Sequence, residues 1–325
     1  MRAVVLESHG GPEVLTVRDV PDPLPGPEEV VVAVEATALN RADILQRKGF
    51  YPGPPADLEI PGLEFAGRVA AVGDRVRSTS LGDEVMGIVG GGAYAERLVT
   101  HERQLLPVPG SVAVRDAAAI HEVWITAWDA LVLQGGLTSG RWALVHAGAS
   151  GVGTAAIQIC RAIGARVIVT ASAAKLDRCT GLGAARAVDY RSEDFLEVVR
   201  AETGGRGVDV VLDVIGGEYL ERNIDALRVG GRIVQVGVMG SGTATFPLGK
   251  LLPKRASLIG TVLRARPLEE KIDVTRRFAE EVLPLFDAGA VAPVIDRRYP
   301  LDQIADAHTY LESNASVGKV VIDLG

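Results

Sequence analysis

The chain has 325 residues, a formal charge of −7, 47% hydrophobic residues and only two cysteines, Cys160 and Cys179. Length alone predicts about two domains with cores of their own, so neither a disulfide framework nor a structural metal is needed for stability. The acidic balance excludes nucleic acid or an anionic membrane as the main partner, and no window reaches the roughly 18 apolar residues of a membrane span. The opening MRAVVLESHGGPEV lacks the apolar run of a signal peptide, so a cytoplasmic location is the expectation.

In chain order, the first elements read as β-rich. The runs at 30–36 (VVVAVEA) and 67–72 (GRVAAV) are apolar and bounded by turn-formers such as 21–29 (PDPLPGPEE). Short strands between Gly/Pro turns predict a compact barrel or sandwich. The pattern changes near Trp124. Strands are predicted at 142–147, 166–171, 185–189, 208–214, 232–237 and 257–262, with helices at 174–182, 192–202 and 217–228 between them. Val152, Ala155, Ala156, Ile159, Cys160 and Ile163 fall on one helical face. Alternation of this kind predicts an α/β, doubly wound parallel sheet. A long helix at about 268–288 is predicted next, and a last strand at 318–324. That tail shows no strand–helix rhythm, so it is assigned back to the first domain. The expected division is 1–123 with 266–325, and 124–265.

The most specific motif is 144–165, LVHAGASGVGTAAIQICRAIGA: strand, glycine turn, amphipathic helix. Gly148 is expected to allow the tight turn, Gly151 to let the backbone approach a pyrophosphate, and Gly153 to permit close helix–strand contact. The helix start at Ser150, Gly151 and Val152 would then offer free amides and the positive end of a dipole. Ser150 stands where the strict G-x-G-x-x-G pattern has its second glycine.

The next strand speaks to cofactor choice. NAD sites place an acid about 20 residues after the turn, on the ribose hydroxyl. Here the strand ends in 170–178, TASAAKLDR, with no acid before Asp177. Ser172 and Lys175 stand where a 2′-phosphate would lie, and Tyr190 could cap it. These side chains would attract a phosphate that a carboxylate would repel, so NADPH is the expected cofactor.

With that half placed, 61–73 (PGLEFAGRVAAVG), 81–87 (LGDEVMG), 38–51 (ALNRADILQRKGFY) and 145–158 (VHAGASGVGTAAIQ) become legible. The chain resembles the zinc-independent NADPH:quinone oxidoreductase branch of the medium-chain dehydrogenase/reductase superfamily, along its whole length. The resemblance implies a GroES-like β-rich catalytic domain, a Rossmann domain with a doubly wound parallel sheet, a cofactor cleft between them, and a homodimer paired through the last Rossmann strand. It implies Asn40 and Tyr51 as hydrogen-bond donors to a developing oxyanion. Thr126, Val238, Met239, Leu263 and Arg264 would line the nicotinamide half, and Lys319 would approach the cofactor phosphates.

No metal is expected. Asn40 and Leu63 occupy the positions where zinc-dependent relatives carry Cys and His ligands, and neither suits zinc. His121 and Glu122, read as neighbours on one strand, would point to opposite faces and could not chelate together. Glu64 and Asp83 read as turn-holders, and His146 and Cys160 as core. Without a Lewis acid, the substrate narrows to electron-poor carbonyl compounds, a quinone first. The rivals are an enone or alkenal reductase of the same fold and a crystallin-like cofactor-binding protein without an enzymatic role.

Overall fold

The computed structural model describes residues 1–54 and 56–324. The chain divides into two compact units: Met1–Glu122 together with the segment from Arg266 onward, and Val123–Ala265. In the first unit, β1 (Arg2–Leu6) and β2 (Leu15–Asp19) form an antiparallel ladder. The ten-residue β3 (Glu29–Ala38) pairs antiparallel with β4 (Glu64–Val72), and β4 continues to β5 (Glu84–Ile88). β6 (Arg97–His101) also pairs with β3, and β7 (Leu105–Pro107) with β5. Val30, Val32, Val34, Phe65, Val69, Val85 and Leu98 are buried in one cluster. Gly67 has to be glycine, because a Cβ there would lie 2.0 Å from the carbonyl oxygen of Ala33.

The second unit is a six-stranded parallel sheet of β8 (Trp142–Val145), β9 (Arg166–Ala171), β10 (Arg186–Asp189), β11 (Val208–Asp213), β12 (Leu227–Gln235) and β13 (Ser257–Gly260). Its spatial order is β10-β9-β8-β11-β12-β13. Strand order therefore reverses between β8 and β11, where the carboxyl ends of open α/β sheets leave a ligand crevice. Leu144, Ile168, Val188, Val211 and Ile233 meet Phe195, Val199 and Ile224 in its core.

After the helix Leu268–Asp287 the chain adds β14 (Ile295–Pro300), the helix Ile304–Glu312 and β15 (Lys319–Asp323) to the first unit. β15 runs antiparallel to β3 and parallel to β14, completing a seven-stranded sheet of mixed direction. This corrects one expectation: the tail does contain a strand–helix–strand crossover. β14, IDRRYP, is largely exposed, so it lacks the apolar run that marks a buried strand.

Candidate functional site

The turn after β8 is held by backbone bonds. Gly148 N–H donates to the Thr170 carbonyl at 2.8 Å, and Ser150 N–H to the Ala147 carbonyl at 2.9 Å. The left-handed residue of the turn is Ala147, with φ of 54°. Gly148 matters for space: a Cβ there would lie 2.5 Å from the Val169 side chain. At Gly153 a Cβ would lie 2.4 Å from the Ala147 carbonyl oxygen, so the helix packs closely against the turn itself. Ser150 caps the helix Gly151–Ala162, its hydroxyl accepting from Gly153 N–H at 3.1 Å. The amides of Gly151 and Val152 have no acceptor among the described residues, leaving donors and a helix dipole directed outward from the turn.

At the end of β9, Ser172 precedes a short turn Ala173–Lys175, with Lys175 N–H bonded to the Ser172 carbonyl at 2.9 Å. Tyr190 N–H donates to the Ala171 carbonyl at 3.3 Å. That bond brings Tyr190 to the strand end that carries Ser172 and Lys175. The Arg191 guanidinium lies 5.7 Å from the Tyr190 ring centroid, a second cation in this corner that the sequence reading passed over. Asp177, the first acid after the strand, is exposed on the following helix.

Further along the sheet edge, Met239 N–H donates to the Val214 carbonyl at 2.9 Å, and Val238 and Met239 are about half exposed at 53% and 47%. Leu263 and Arg264 follow β13 and are half-buried. Just before them, Thr261 Oγ1 donates to Asp129 Oδ2 at 2.7 Å, while Gln134 Nε2 donates to Asp129 Oδ1 at 3.1 Å. Asp129 opens a π-helical segment, Asp129–Gln134, and was not singled out by sequence. Thr126 is half-buried on the helix His121–Trp128.

In the first unit, β15 brings Lys319 beside Asn40. Lys319 is 3% exposed. Its ammonium donates to the Leu39 carbonyl and Asn40 Oδ1, both at 2.6 Å, and pairs with Glu64 Oε1 at 2.7 Å. Three donors meet three acceptors, so Lys319 is committed there and has no donor left for a cofactor phosphate. Asn40 is likewise committed: Nδ2 donates to Glu64 Oε1 at 2.9 Å and to the Ala38 carbonyl at 3.3 Å. Both amide hydrogens are used, so Asn40 is a positioning group here and not the free oxyanion donor expected of it. Glu64 Oε2 accepts from Glu122 N–H at 3.0 Å, a buried junction where a turn-holder was expected. Asp43 is fully buried and accepts from Asn40 N–H at 2.7 Å; burial raises its carboxyl to about 6. Tyr51 is half-buried in the bend after the helix Arg41–Arg47.

His121 and Glu122 open a helix, not a strand. His121 stacks on Phe278 at 5.6 Å, neither ring nitrogen has a hydrogen-bond partner among the described residues, and burial pushes its pKa down to about 3. Asp83 accepts from Ser80 N–H at 2.8 Å. Cys160 is buried, its thiol pushed up to about 12 by burial. It is packed core and no nucleophile.

Residues 26–110 match the alcohol dehydrogenase GroES-like domain, and residues 182–322 match the zinc-binding dehydrogenase family. A quinone oxidoreductase of Lama guanicoe is 33% identical over 99% of this chain and 97% of its own. The chain belongs to the quinone oxidoreductase branch of the medium-chain dehydrogenase/reductase superfamily. Among solved structures, the Escherichia coli quinone oxidoreductase complexed with NADPH is 29% identical over the whole of both chains, with a TM-score of 0.91. One described as an NAD-dependent alcohol dehydrogenase is 36% identical over the whole of both chains, with a TM-score of 0.90.

Membership in this superfamily raises the question of zinc, and the donor set does not fit it. Leu63 is apolar, Asn40 Oδ1 is bonded to an ammonium, and Glu64 is paired with the same ammonium. Among the described residues, no group of three or more His, Cys, Asp or Glu side chains could hold a metal ion. A nicotinamide cofactor does fit: the open amides of Gly151 and Val152 and the glycines of the turn suit a pyrophosphate. No helix among the described residues is long and apolar enough to cross a membrane.

Proposed function

We propose that this oxidoreductase of the quinone oxidoreductase branch uses NADPH to reduce a quinone by direct hydride transfer, without zinc. The observation that carries the reading is the Lys319 ammonium locked between Asn40 and Glu64. A fixed cation there takes up the lone pairs a metal would need, so the oxyanion formed on reduction has to be stable without a Lewis acid. Quinones meet that condition. Hydride addition gives a delocalised hydroquinone anion, and one further proton from water completes the hydroquinone.

When bound, the nicotinamide cofactor would supply the hydride. Gly151 and Val152 would hold the pyrophosphate with their open backbone amides beside the helix-capping Ser150, and Gly148 and Gly153 would leave room for the turn. Ser172, Lys175 and Tyr190 would receive the 2′-phosphate, at a strand end followed by no acid before Asp177. Thr126, Val238, Met239, Leu263 and Arg264 line the nicotinamide side, and Tyr51 donates to the reduced oxygen. Orientation of the quinone over the nicotinamide provides most of the rate. The protein acts in the cytoplasm as a homodimer joined along β13.

The test is oxidation of NADPH and NADH, followed by loss of reduced-nicotinamide absorbance, with ortho-quinones, para-quinones and enones in parallel. Quinone turnover with NADPH, unaffected by a chelator, is the expected result. Turnover of enones alone would move the assignment to an enone reductase. No turnover with intact cofactor binding would leave a cofactor-binding protein.

A further inference from the structure

Beneath the dinucleotide turn, the second unit buries a chain of polar side chains that the reaction itself does not use. His146, Asp213 and Asn223 are 1%, 0% and 0% exposed. His146 Nε2 lies 2.7 Å from Asn223 Oδ1, and Asn223 Nδ2 donates to Asp213 Oδ2 at 3.0 Å. A carboxylate only accepts, so the asparagine amide must face Asp213 and its oxygen must face the histidine. His146 therefore carries its proton on Nε2. Its Nδ1, 3.0 Å from Thr170 Oγ1, accepts from that hydroxyl. Phe195 and Tyr219 stand edge-on to the imidazole at 5.0 and 4.8 Å, and burial lowers its pKa, which keeps the ring neutral.

Both ends of this chain reach backbone of the proposed cofactor site. His146 immediately precedes the left-handed Ala147, and Thr170, which orients the ring, also accepts from Gly148 N–H through its carbonyl. At the other end, Asp213 Oδ1 accepts from Ile215 and Gly216 N–H at 2.6 and 3.1 Å. The loop so fixed accepts in turn from the amides of Met239 and Gly240, each at 2.9 Å, through the carbonyls of Val214 and Ile215. A buried polar network is often no more stabilising than apolar packing of the same shape, so stability alone gives no reason for three polar groups here. A defined register between two loops does.

We propose that Asn223 is a positioning residue for the cofactor, coupling the pyrophosphate turn to the nicotinamide-side segment through His146 and Asp213. The inference rests on the nicotinamide-cofactor reading above. It predicts that the two halves of the cofactor site are ordered together and are damaged together when the strut is cut.

Asn223→Asp keeps an acceptor toward His146 and replaces the donor toward Asp213 with a second carboxylate oxygen. The titratable and charged groups facing this position are His146, Asp213, Tyr219 and Arg222. In the full-length protein near pH 8, NADPH affinity should fall by about tenfold, the scale of a lost buried hydrogen bond. Affinity for 2′-phospho-ADP-ribose, which engages the turn but lacks the nicotinamide, should fall as well, by about threefold on the same scale, and an unchanged affinity for it would overturn the coupling. Near pH 6, a proton shared between the two carboxyls should bring the NADPH affinity of the variant back close to that of the unmodified protein at the same pH. A lower melting temperature with NADPH affinity unchanged would overturn the inference and leave Asn223 merely structural. Equal losses for both ligands would confine its effect to the turn and equally overturn the coupling. Should the variant not fold, nitrogen NMR of the unmodified protein decides: His146 must show the neutral Nε2–H tautomer at pH 8, and an Nδ1–H tautomer there would refute the strut. If the unmodified protein binds neither NADPH nor NADH, it is the cofactor reading that fails.

Discussion

The ammonium of Lys319 lies 2.7 Å from Glu64 Oε1, with the two side chains 3% and 1% exposed. Together with Asn40 they tie the last strand of the chain to the ends of β3 and β4. Removing one partner leaves an uncompensated buried charge, so Lys319→Met should cost about 3–5 kcal/mol of unfolding free energy. Adding Glu64→Gln should recover a large part of that loss. Urea denaturation of the two variants measures both. A single variant as stable as the unmodified protein would show that the pair does not hold this junction.

Cofactor choice turns on the corner after β9. Lys175→Ala should raise the NADPH dissociation constant by roughly 10- to 150-fold, the scale of a charge-assisted phosphate contact of about 1.5–3 kcal/mol. NADH binding should hardly change. Calorimetric titration with both cofactors checks this, and equal affinities in the unmodified protein would remove its premise.

The parts of the site legible in sequence are those with a local signature. The turn 147–153 is one: strand, glycines and amphipathic helix follow within one short stretch. The six strands of the second unit are short apolar runs, and their alternation with helices marks a parallel sheet. The Lys319–Glu64–Asn40 junction had no such signature, because its members meet only after β15 pairs with β3. Lys319 in isolation reads as a surface lysine. His121 and Glu122 read as strand because the helix they open lacks a strong polar face. Ala147 could not be picked out as the left-handed residue beside Gly148, since glycine adopts that conformation more readily.

Acid should destabilise the protein. His121 and His308 are pushed from 6.5 down to about 3, first of all by burial, and burial lowers His146 as well. A folded pKa below the unfolded one gives stability that is present above 6.5 and lost as pH falls toward 3. Asp43, raised from 3.8 to about 6 by burial, acts oppositely: its contribution is present below 3.8 and lost as pH rises through 6. Three histidines outweigh one carboxyl, so unfolding free energy should fall between pH 7 and 5. His121→Leu removes two unpartnered ring nitrogens and should stabilise by about 1–3 kcal/mol at neutral pH. It should also flatten the acid limb by up to about 1.4 kcal/mol per pH unit. Denaturation curves across this range decide; a variant less stable than the parent would mean that His121 has a partner in solution.

β13 ends its sheet, and Leu258 on it is 47% exposed, near Val262 at 46%. An open apolar edge invites pairing with another chain. Light scattering should give the mass of a homodimer at micromolar concentration, and Leu258→Lys should shift it toward the monomer. A monomeric mass for the unmodified protein would contradict the assembly.

With Asn40 held by Glu64 and Lys319, Tyr51 is left as the proposed donor to the reduced oxygen. A donor to a localised acyl-transfer oxyanion is worth about 10²–10³ in turnover. The quinone's charge is spread over its ring, so Tyr51→Phe should lower kcat by only about 3- to 30-fold, near the value of an ordinary hydrogen bond. NADPH binding should be unchanged. Asn40→Ala acts through a different route, by freeing Glu64 and Lys319. Its loss should therefore come with a lower melting temperature, which Tyr51→Phe should not show. Steady-state kinetics with a para-quinone, paired with cofactor titration and thermal melting, separates the two effects. If Tyr51→Phe abolishes turnover while NADPH still binds, the phenol is an obligatory proton donor, hydride transfer followed by protonation from water is wrong, and an enone becomes the better substrate.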